Sequence, residues 1–161
     1  FRDLHMGFTW RYRRWSIGCG RYTPRLLSYT LLWWDIMPTL QTNGIELYYE
    51  AAGQGEPLLL LHGLGSRGED WAMQVPVFFL SYRVITADMR GHGRSAKPPG
   101  PYSLPQMAAD VIGLLDGLDI ESTHVIGLSM GGMIAFQLAV DRPERIRSMV
   151  IVNSGPSICF A

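Results

Sequence analysis

The chain has 161 residues, of which 47% are hydrophobic and 17% are charged, and its formal net charge is zero. This composition predicts one globular domain and excludes the highly charged, apolar-poor class of disordered chains. Beyond the first 36 residues no basic patch suggests binding to a nucleic acid, and no apolar run is long enough to span a membrane.

The first 36 residues differ in composition from the rest. They contain six arginines against two aspartates and four of the five tryptophans, without helical or alternating periodicity. We interpret 1–36 as a non-native or disordered extension and 37–161 as the folded domain, beginning at Met37. Two alternatives remain open for the extension: a targeting or membrane-surface role, suggested by the arginines and the apolar run 31–34, and a folded addition.

From Met37 onward, strand signals and helix signals alternate. Asn43-Gly44 between two short runs predicts a β-hairpin over 39–54. Further strands are predicted at 57–61, 83–87, 124–128 and 146–152, and helices at 69–80, 103–118 and 130–141. This alternation predicts a mostly parallel sheet with right-handed crossovers, whose strands all end in loops at one edge.

One of these loops carries the pattern Gly-x-Ser-x-Gly, at Gly127, Ser129 and Gly131. A serine on a sharp strand-to-helix turn has a strained backbone, and glycine on both sides avoids collisions. The turn lifts the hydroxyl clear of the sheet and leaves the Met130 amide at a helix N-terminus, where partial positive charge collects. Because the pattern falls between a predicted strand and a predicted helix, it indicates a nucleophile, Ser129, with half of an oxyanion hole.

A second loop, His62-Gly63-Leu64-Gly65, follows the strand 57–61. Gly63 and Gly65 allow the chain to bend, so the Leu64 amide can face the cavity beside Ser129 and complete the oxyanion hole. We interpret His62 as a structural residue that hydrogen bonds this loop into shape.

A third loop runs from Asp88 to Ser95 after the next strand. Asp88 and His92 could be combined with Ser129 into a triad, since triads are defined by geometry and not by chain order. The interpretation we favour is that the polar side chains of this glycine-rich loop satisfy its own backbone groups.

The three motifs, in this order, resemble the N-terminal portion of an α/β-hydrolase, from Met37 to about Pro156. The nearest likeness is to the small esterase, enol-lactonase and cofactor-free haloperoxidase group. The resemblance implies an α/β fold with an antiparallel N-terminal hairpin on a mostly parallel sheet, truncated after about the sixth strand. It assigns Ser129 as the nucleophile and the amides of Leu64 and Met130 as the oxyanion hole.

The implied reaction is attack of Ser129 on a carboxylic ester, thioester or lactone, followed by hydrolysis of the acyl group. The expected partner is a small-molecule acyl substrate, and no cofactor or metal is expected. A serine at position 129 disfavours the related epoxide hydrolases and dehalogenases, whose carboxylate nucleophile forms an alkyl ester.

The remaining members of a triad are predicted to be missing. The family order is Ser, then acid, then His, whereas all four histidines of this chain precede Ser129. The acids that follow it, Asp141 and Glu144, lie at the end of the next helix. We therefore expect this chain alone to be inactive, and the alternative is a non-enzymatic binding domain that retains the fold.

The two cysteines, Cys19 and Cys159, have no metal-ligand spacing and are uninformative. Because nothing in the sequence resembles a cleavable signal peptide, a reducing cytoplasm is the default expectation. The oligomeric state stays open.

Overall fold

The computed structural model describes residues 38–156, so the interpretations of 1–36 and of the two cysteines lie outside the described residues. The described chain forms a six-stranded sheet in the order β1-β2-β4-β3-β5-β6. The strands are β1 (Thr39–Thr42), β2 (Ile45–Ala52), β3 (Glu56–Leu61), β4 (Tyr82–Ala87), β5 (Thr123–Leu128) and β6 (Ile146–Val152).

The sheet combines an antiparallel hairpin with a parallel body. β1 pairs antiparallel with β2, and Asn43 and Gly44 turn the chain with φ of 44° and 76°, which is the left-handed backbone such a tight turn requires. β2 pairs antiparallel with β4, while the pairs β4–β3, β3–β5 and β5–β6 are parallel. The predicted fold class is therefore confirmed.

The helical segments are a 3₁₀ turn (Gly68–Trp71), α1 (Val75–Phe78), α2 (Leu104–Gly117), α3 (Met130–Asp141) and a second 3₁₀ turn (Pro143–Arg145). The single helix predicted over 69–80 is wrong, because the structure has two short pieces there. Pro76 lies in the first turn of α1 and has no N–H to donate to the preceding turn, so a continuous helix cannot pass through it. Ser103 caps the N-terminus of α2, since its Oγ accepts a hydrogen bond from the Gln106 N–H.

The central strand β3 is buried on both faces of the sheet. Leu59 and Leu61 pack in the main core with α2 and α3, and Leu58 and Leu60 pack in a smaller cluster that includes Trp71. Each such leucine contributes about 1.5–3 kcal/mol when fully buried. The loop that follows β3 is consequently anchored to a strand that is packed on both faces.

Candidate active site

Ser129 stands between β5 and α3 in a strained backbone conformation, with φ of 50° and ψ of −112°. Its N–H donates to the Val152 carbonyl at 3.0 Å, and its own carbonyl accepts from Gly132 N at 2.9 Å and Met133 N at 3.2 Å. The Ser154 hydroxyl donates to the same carbonyl at 2.6 Å. The first turn of α3 and the end of β6 thus hold the strained residue from two sides, as an outlier of this kind requires.

Two glycines flank Ser129 because the backbone packs too closely for a side chain. A Cβ at Gly127 would lie 2.5 Å from the Gly131 carbonyl oxygen, and a Cβ at Gly131 would lie 2.6 Å from the carbonyl carbon of Leu61. Neither glycine has a positive φ. Close approach of α3 to β3 and β5 is therefore the reason for glycine at both positions.

The structure brings the loop after β3 to the same edge as Ser129. β3 and β5 are neighbours with Leu61 opposite Gly127, and a Cβ at Gly63 would lie 3.6 Å from Ser129 Cβ. Leu64 follows as an exposed residue, and Gly65 has φ of 73°. Gly65, with its positive φ, bends the chain, whereas Gly63 has no positive φ and its lack of a side chain lets the loop backbone lie close to Ser129.

His62 is fully buried and its ring is committed to the backbone. Its Nδ1 lies 2.8 Å from the Gly63 carbonyl oxygen, and its Nε2 accepts from the Met89 N–H at 3.0 Å. These two bonds fix the tautomer with the proton on Nδ1, and burial lowers the pKa of His62. With both nitrogens used, His62 joins the loops after β3 and β4 and has no lone pair for Ser129.

Asp88 is likewise committed to the backbone. Its carboxylate accepts from the Gly68 N–H and the Arg94 N–H, each at 2.7 Å, and only 2% of the residue is exposed. The Ser95 hydroxyl donates to the Asp88 carbonyl at 2.5 Å and accepts from the Tyr48 N–H at 2.8 Å. Asp88 and Ser95 thus bond to backbone groups, as the favoured interpretation required, although two of those groups lie outside the loop. The interpretation is wrong for the arginines, because the guanidinium groups of Arg90 and Arg94 bind side chains of other elements.

His92 is half-buried beside His62, with ring centroids 5.1 Å apart in an edge-to-face arrangement. Its Nδ1 donates to the Arg90 carbonyl at 3.0 Å. Within residues 38–156, no hydrogen bond joins His92 or Asp88 to the Ser129 hydroxyl. The structure does not assemble these three residues into a hydrogen-bonded triad.

A buried ion pair beneath the same loop was not predicted from the sequence. Arg90 Nε and Nη2 bind the two carboxylate oxygens of Asp110 on α2, both at 2.5 Å, and Asn43 Nδ2 donates to Asp110 Oδ1 at 2.9 Å. The hydrogen bonds to Asp110 raise the pKa of Arg90, so the guanidinium stays charged. The sequence did indicate that Asp110 is buried, because it lies three residues after Met107 and four before Leu114 on the apolar stripe of α2.

Two clefts of about 430 and 200 Å³ lie away from Ser129. Both are lined by residues 119–121, just before β5, so they open at the amino end of the strands. Among the described residues there is no group of three or more His, Cys, Asp and Glu side chains that could hold a metal ion. No helix in that part of the chain is long and apolar enough to cross a membrane.

Comparison with known proteins supports the resemblance. The sequence profile of the alpha/beta hydrolase fold matches residues 56–160. Over 122 residues the chain is 38% identical to 3-oxoadipate enol-lactonase 2 of Acinetobacter baylyi, covering 74% of this chain and 46% of that protein. It is also 36% identical over 132 residues to epoxide hydrolase 2 of Siraitia grosvenorii, covering 76% of this chain and 41% of that protein.

A solved structure gives the same result. The enol-lactonase from Burkholderia xenovorans LB400 is 36% identical and superposes with a TM-score of 0.74, covering 76% of this chain and 48% of that one. The chain therefore spans less than half the length of the relatives it matches. From its sequence profile, its sheet topology and these relatives, the protein belongs to the α/β-hydrolase fold family.

Proposed function

We propose that the protein is a serine hydrolase in which Ser129 attacks the carbonyl carbon of a carboxylic ester, thioester or lactone. The observation that carries the proposal is the strained backbone of Ser129 at the start of α3, held beside the loop Gly63–Gly65. Strain at a half-buried serine with close glycine packing on both sides is typical of a residue kept for chemistry.

In the proposed step, the Ser129 oxygen bonds to the acyl carbon, the leaving alcohol, thiol or enol departs, and water later releases the acid. The N–H groups of Leu64 and Met130 are the proposed donors to the oxyanion. Removing one such donor typically lowers turnover by about 100- to 1000-fold. No metal or organic cofactor has a part in this scheme.

The identity of the nucleophile favours acyl transfer among the activities of the relatives. An epoxide hydrolase and an enol-lactonase match this chain with similar identity, so overall similarity does not choose between them. A serine ester formed on Ser129 has the chemistry of an acyl-enzyme. Opening an epoxide in this family needs the carboxylate nucleophile that position 129 lacks.

The proton of Ser129 needs a base, and within residues 38–156 no histidine is hydrogen bonded to the Ser129 hydroxyl. We therefore expect the chain to form a covalent adduct at Ser129 slowly, and faster when imidazole is added to the solution as an external base. The experiment is to treat the 161-residue chain with a small fluorophosphonate, with and without imidazole, and to locate the adduct by peptide mass spectrometry.

Matched variants separate the parts of the site. Ser129→Ala abolishes the adduct on this peptide, whereas Ser154→Ala retains it. Leu64→Pro removes one proposed oxyanion N–H and lowers the rate, and Leu64→Ala, which keeps that N–H, does not. Absence of an adduct on Ser129 even with imidazole would contradict the proposal and favour a binding domain that retains the fold.

Steady-state assays test the separate expectation that this chain alone is inactive. Ester turnover at about 1 per second or faster, lost in Ser129→Ala, would show that a histidine upstream of Ser129 serves as the base.

A further inference from the structure

A second group of chemically active side chains crosses the sheet far from Ser129. His124 on β5 lies opposite Leu58 of β3 on one side and opposite Ser148 of β6 on the other, so these side chains share one face of the sheet. His124 is five residues before Ser129, roughly 16 Å along an extended strand. The group is therefore separate from the candidate active site.

Hydrogen bonds connect three members of this group in a line. Ser148 Oγ lies 2.7 Å from His124 Nδ1, and His124 Nε2 lies 3.1 Å from Glu56 Oε2 at the start of β3. The other carboxylate oxygen of Glu56 accepts from Arg147 Nη1 at 2.6 Å. A hydroxyl, an imidazole and a carboxylate in this order are the arrangement that activates a serine nucleophile.

The carboxylate determines which imidazole nitrogen carries the proton. The hydrogen bond from His124, reinforced by the charge of Arg147, lowers the pKa of Glu56, so this group is ionised at neutral pH. An ionised carboxylate only accepts, and neutral His124 must therefore donate from Nε2. The lone pair of Nδ1 then faces the Ser148 hydroxyl, as a general base requires.

We propose that Ser148, His124 and Glu56 form a second serine–imidazole–carboxylate relay, in which Ser148 is a nucleophile toward small activated acyl and phosphonyl compounds. With a fluorophosphonate, a bond forms between Ser148 Oγ and phosphorus, and the P–F bond breaks to release fluoride. The hydroxyl proton passes to His124 Nδ1, and the resulting imidazolium is stabilised by Glu56.

The surroundings limit what this relay can modify. Ser148 is exposed and the His124 side chain is 24% exposed, so a small reagent reaches them from solvent. The groups facing the imidazole are Glu56, Ser148 and the Tyr82 ring, whose centroid is 5.9 Å away, with Arg147 behind Glu56. No backbone turn of the Ser129 type adjoins Ser148, which lies within β6 at the point where the pairing with β5 shifts register. We therefore expect stoichiometric acylation and not rapid turnover.

The test is fluorophosphonate labelling of the 161-residue chain carrying Ser129→Ala, which removes any adduct at the candidate active site. Peptide mass spectrometry should find the adduct on Ser148. General-base assistance is typically worth about 100-fold or more, so His124→Gln should slow labelling by at least that factor. Ser122→Ala is the matched control, because Ser122 lies in the same patch, accepts from Arg147 and has no imidazole partner.

A further readout keeps the proposal falsifiable if His124→Gln folds poorly. Glu56→Gln, a change at an exposed side chain, should slow labelling because an amide no longer enforces the Nε2–H tautomer. Absence of an adduct on Ser148, or a labelling rate that Glu56→Gln leaves unchanged, would overturn the proposal. An adduct on Ser129 in the parent chain is a separate result, which tests only the proposed hydrolase activity.

Discussion

Replacement of Gly131 by alanine tests whether α3 really packs onto β3 as closely as the structure has it. The new methyl group would lie 2.6 Å from the carbonyl carbon of Leu61 and 2.8 Å from Leu61 Cβ, whereas ordinary contacts exceed 3.4 Å. The carbonyl carbon belongs to the backbone of β3 and Cβ is bonded directly to that backbone, so neither atom of the fully buried Leu61 can move independently. Overpacking of this severity lies near the upper end of the usual range, at about 3 kcal/mol.

An opposing effect makes the sign of the result informative. Gly131 is the second residue of a helix, where alanine is favoured over glycine by about 1 kcal/mol. The net expectation is that Gly131→Ala lowers the free energy of unfolding by about 2 kcal/mol. If the close approach were absent, the helical preference would prevail and the variant would be more stable than the parent.

The measurement is urea unfolding followed by far-ultraviolet circular dichroism. With a slope of about 1–3 kcal/mol per molar urea, the expected loss lowers the midpoint by about 1 M. Gly63→Ala is the matched control, because its methyl would lie 3.6 Å from Ser129 Cβ and the residue has no positive φ. Its free energy of unfolding should change by less than about 0.5 kcal/mol. A midpoint for Gly131→Ala at or above that of the parent would refute the reasoning.

Four further changes test the scaffold around the candidate active site. Asp110→Asn leaves Arg90 buried without a counter-charge and should cost about 3–5 kcal/mol in urea unfolding, while the double variant Arg90→Met/Asp110→Leu should cost much less; equal losses would contradict this. Asp88→Asn replaces one of two accepting oxygens by a donor and should cost about 1–3 kcal/mol, measured by thermal unfolding, and no shift would count against it. Burial lowers the pKa of His62, so the stability that the neutral imidazole contributes is complete above the ordinary pKa of 6.5 and is lost as the pH falls toward the lower pKa of the folded state. The urea midpoint should therefore fall as the pH is lowered from 6.5 toward that value, and it should fall less in His62→Gln. Ser129→Gly should raise the melting temperature, because glycine adopts a φ of 50° without the strain of about 1–3 kcal/mol that a side chain incurs; a lower melting temperature would show that the conformation is not strained.

Local signals in the sequence were enough to predict the strands, the hairpin and the glycine pattern around Ser129. Each depends on residues close in the chain: Asn43-Gly44 turns a hairpin whatever follows it, and Gly127 and Gly131 flank their serine directly. Pro76 was also a local signal, and a helix should not have been extended across it.

Contacts between distant segments could not be predicted in the same way. Ser154 supports the Ser129 carbonyl only because β6 pairs beside β5, and Arg90 meets Asp110 only after α2 packs on the sheet. The sequence shows that the residues of both pairs are present, but it does not show that folding brings the members of each pair into contact. An acid on an apolar helix stripe indicates that a buried partner exists, without naming which cation supplies it.

The polar side chains at the carboxyl edge of the sheet divide into two kinds, and this division supports the proposed role of Ser129. His62, Asp88 and Ser95 are buried, and each bonds to backbone groups that would otherwise lack a partner. Ser129 is half-buried, and within residues 38–156 its hydroxyl makes no hydrogen bond, although its backbone makes four. A turn that served only to reverse the chain would be more stable with glycine there, since glycine incurs no Cβ strain at this φ. If Ser129 has the proposed role, the strain has a functional reason, which is to expose the hydroxyl. The bonds from β6 and α3 then hold the strained residue in place.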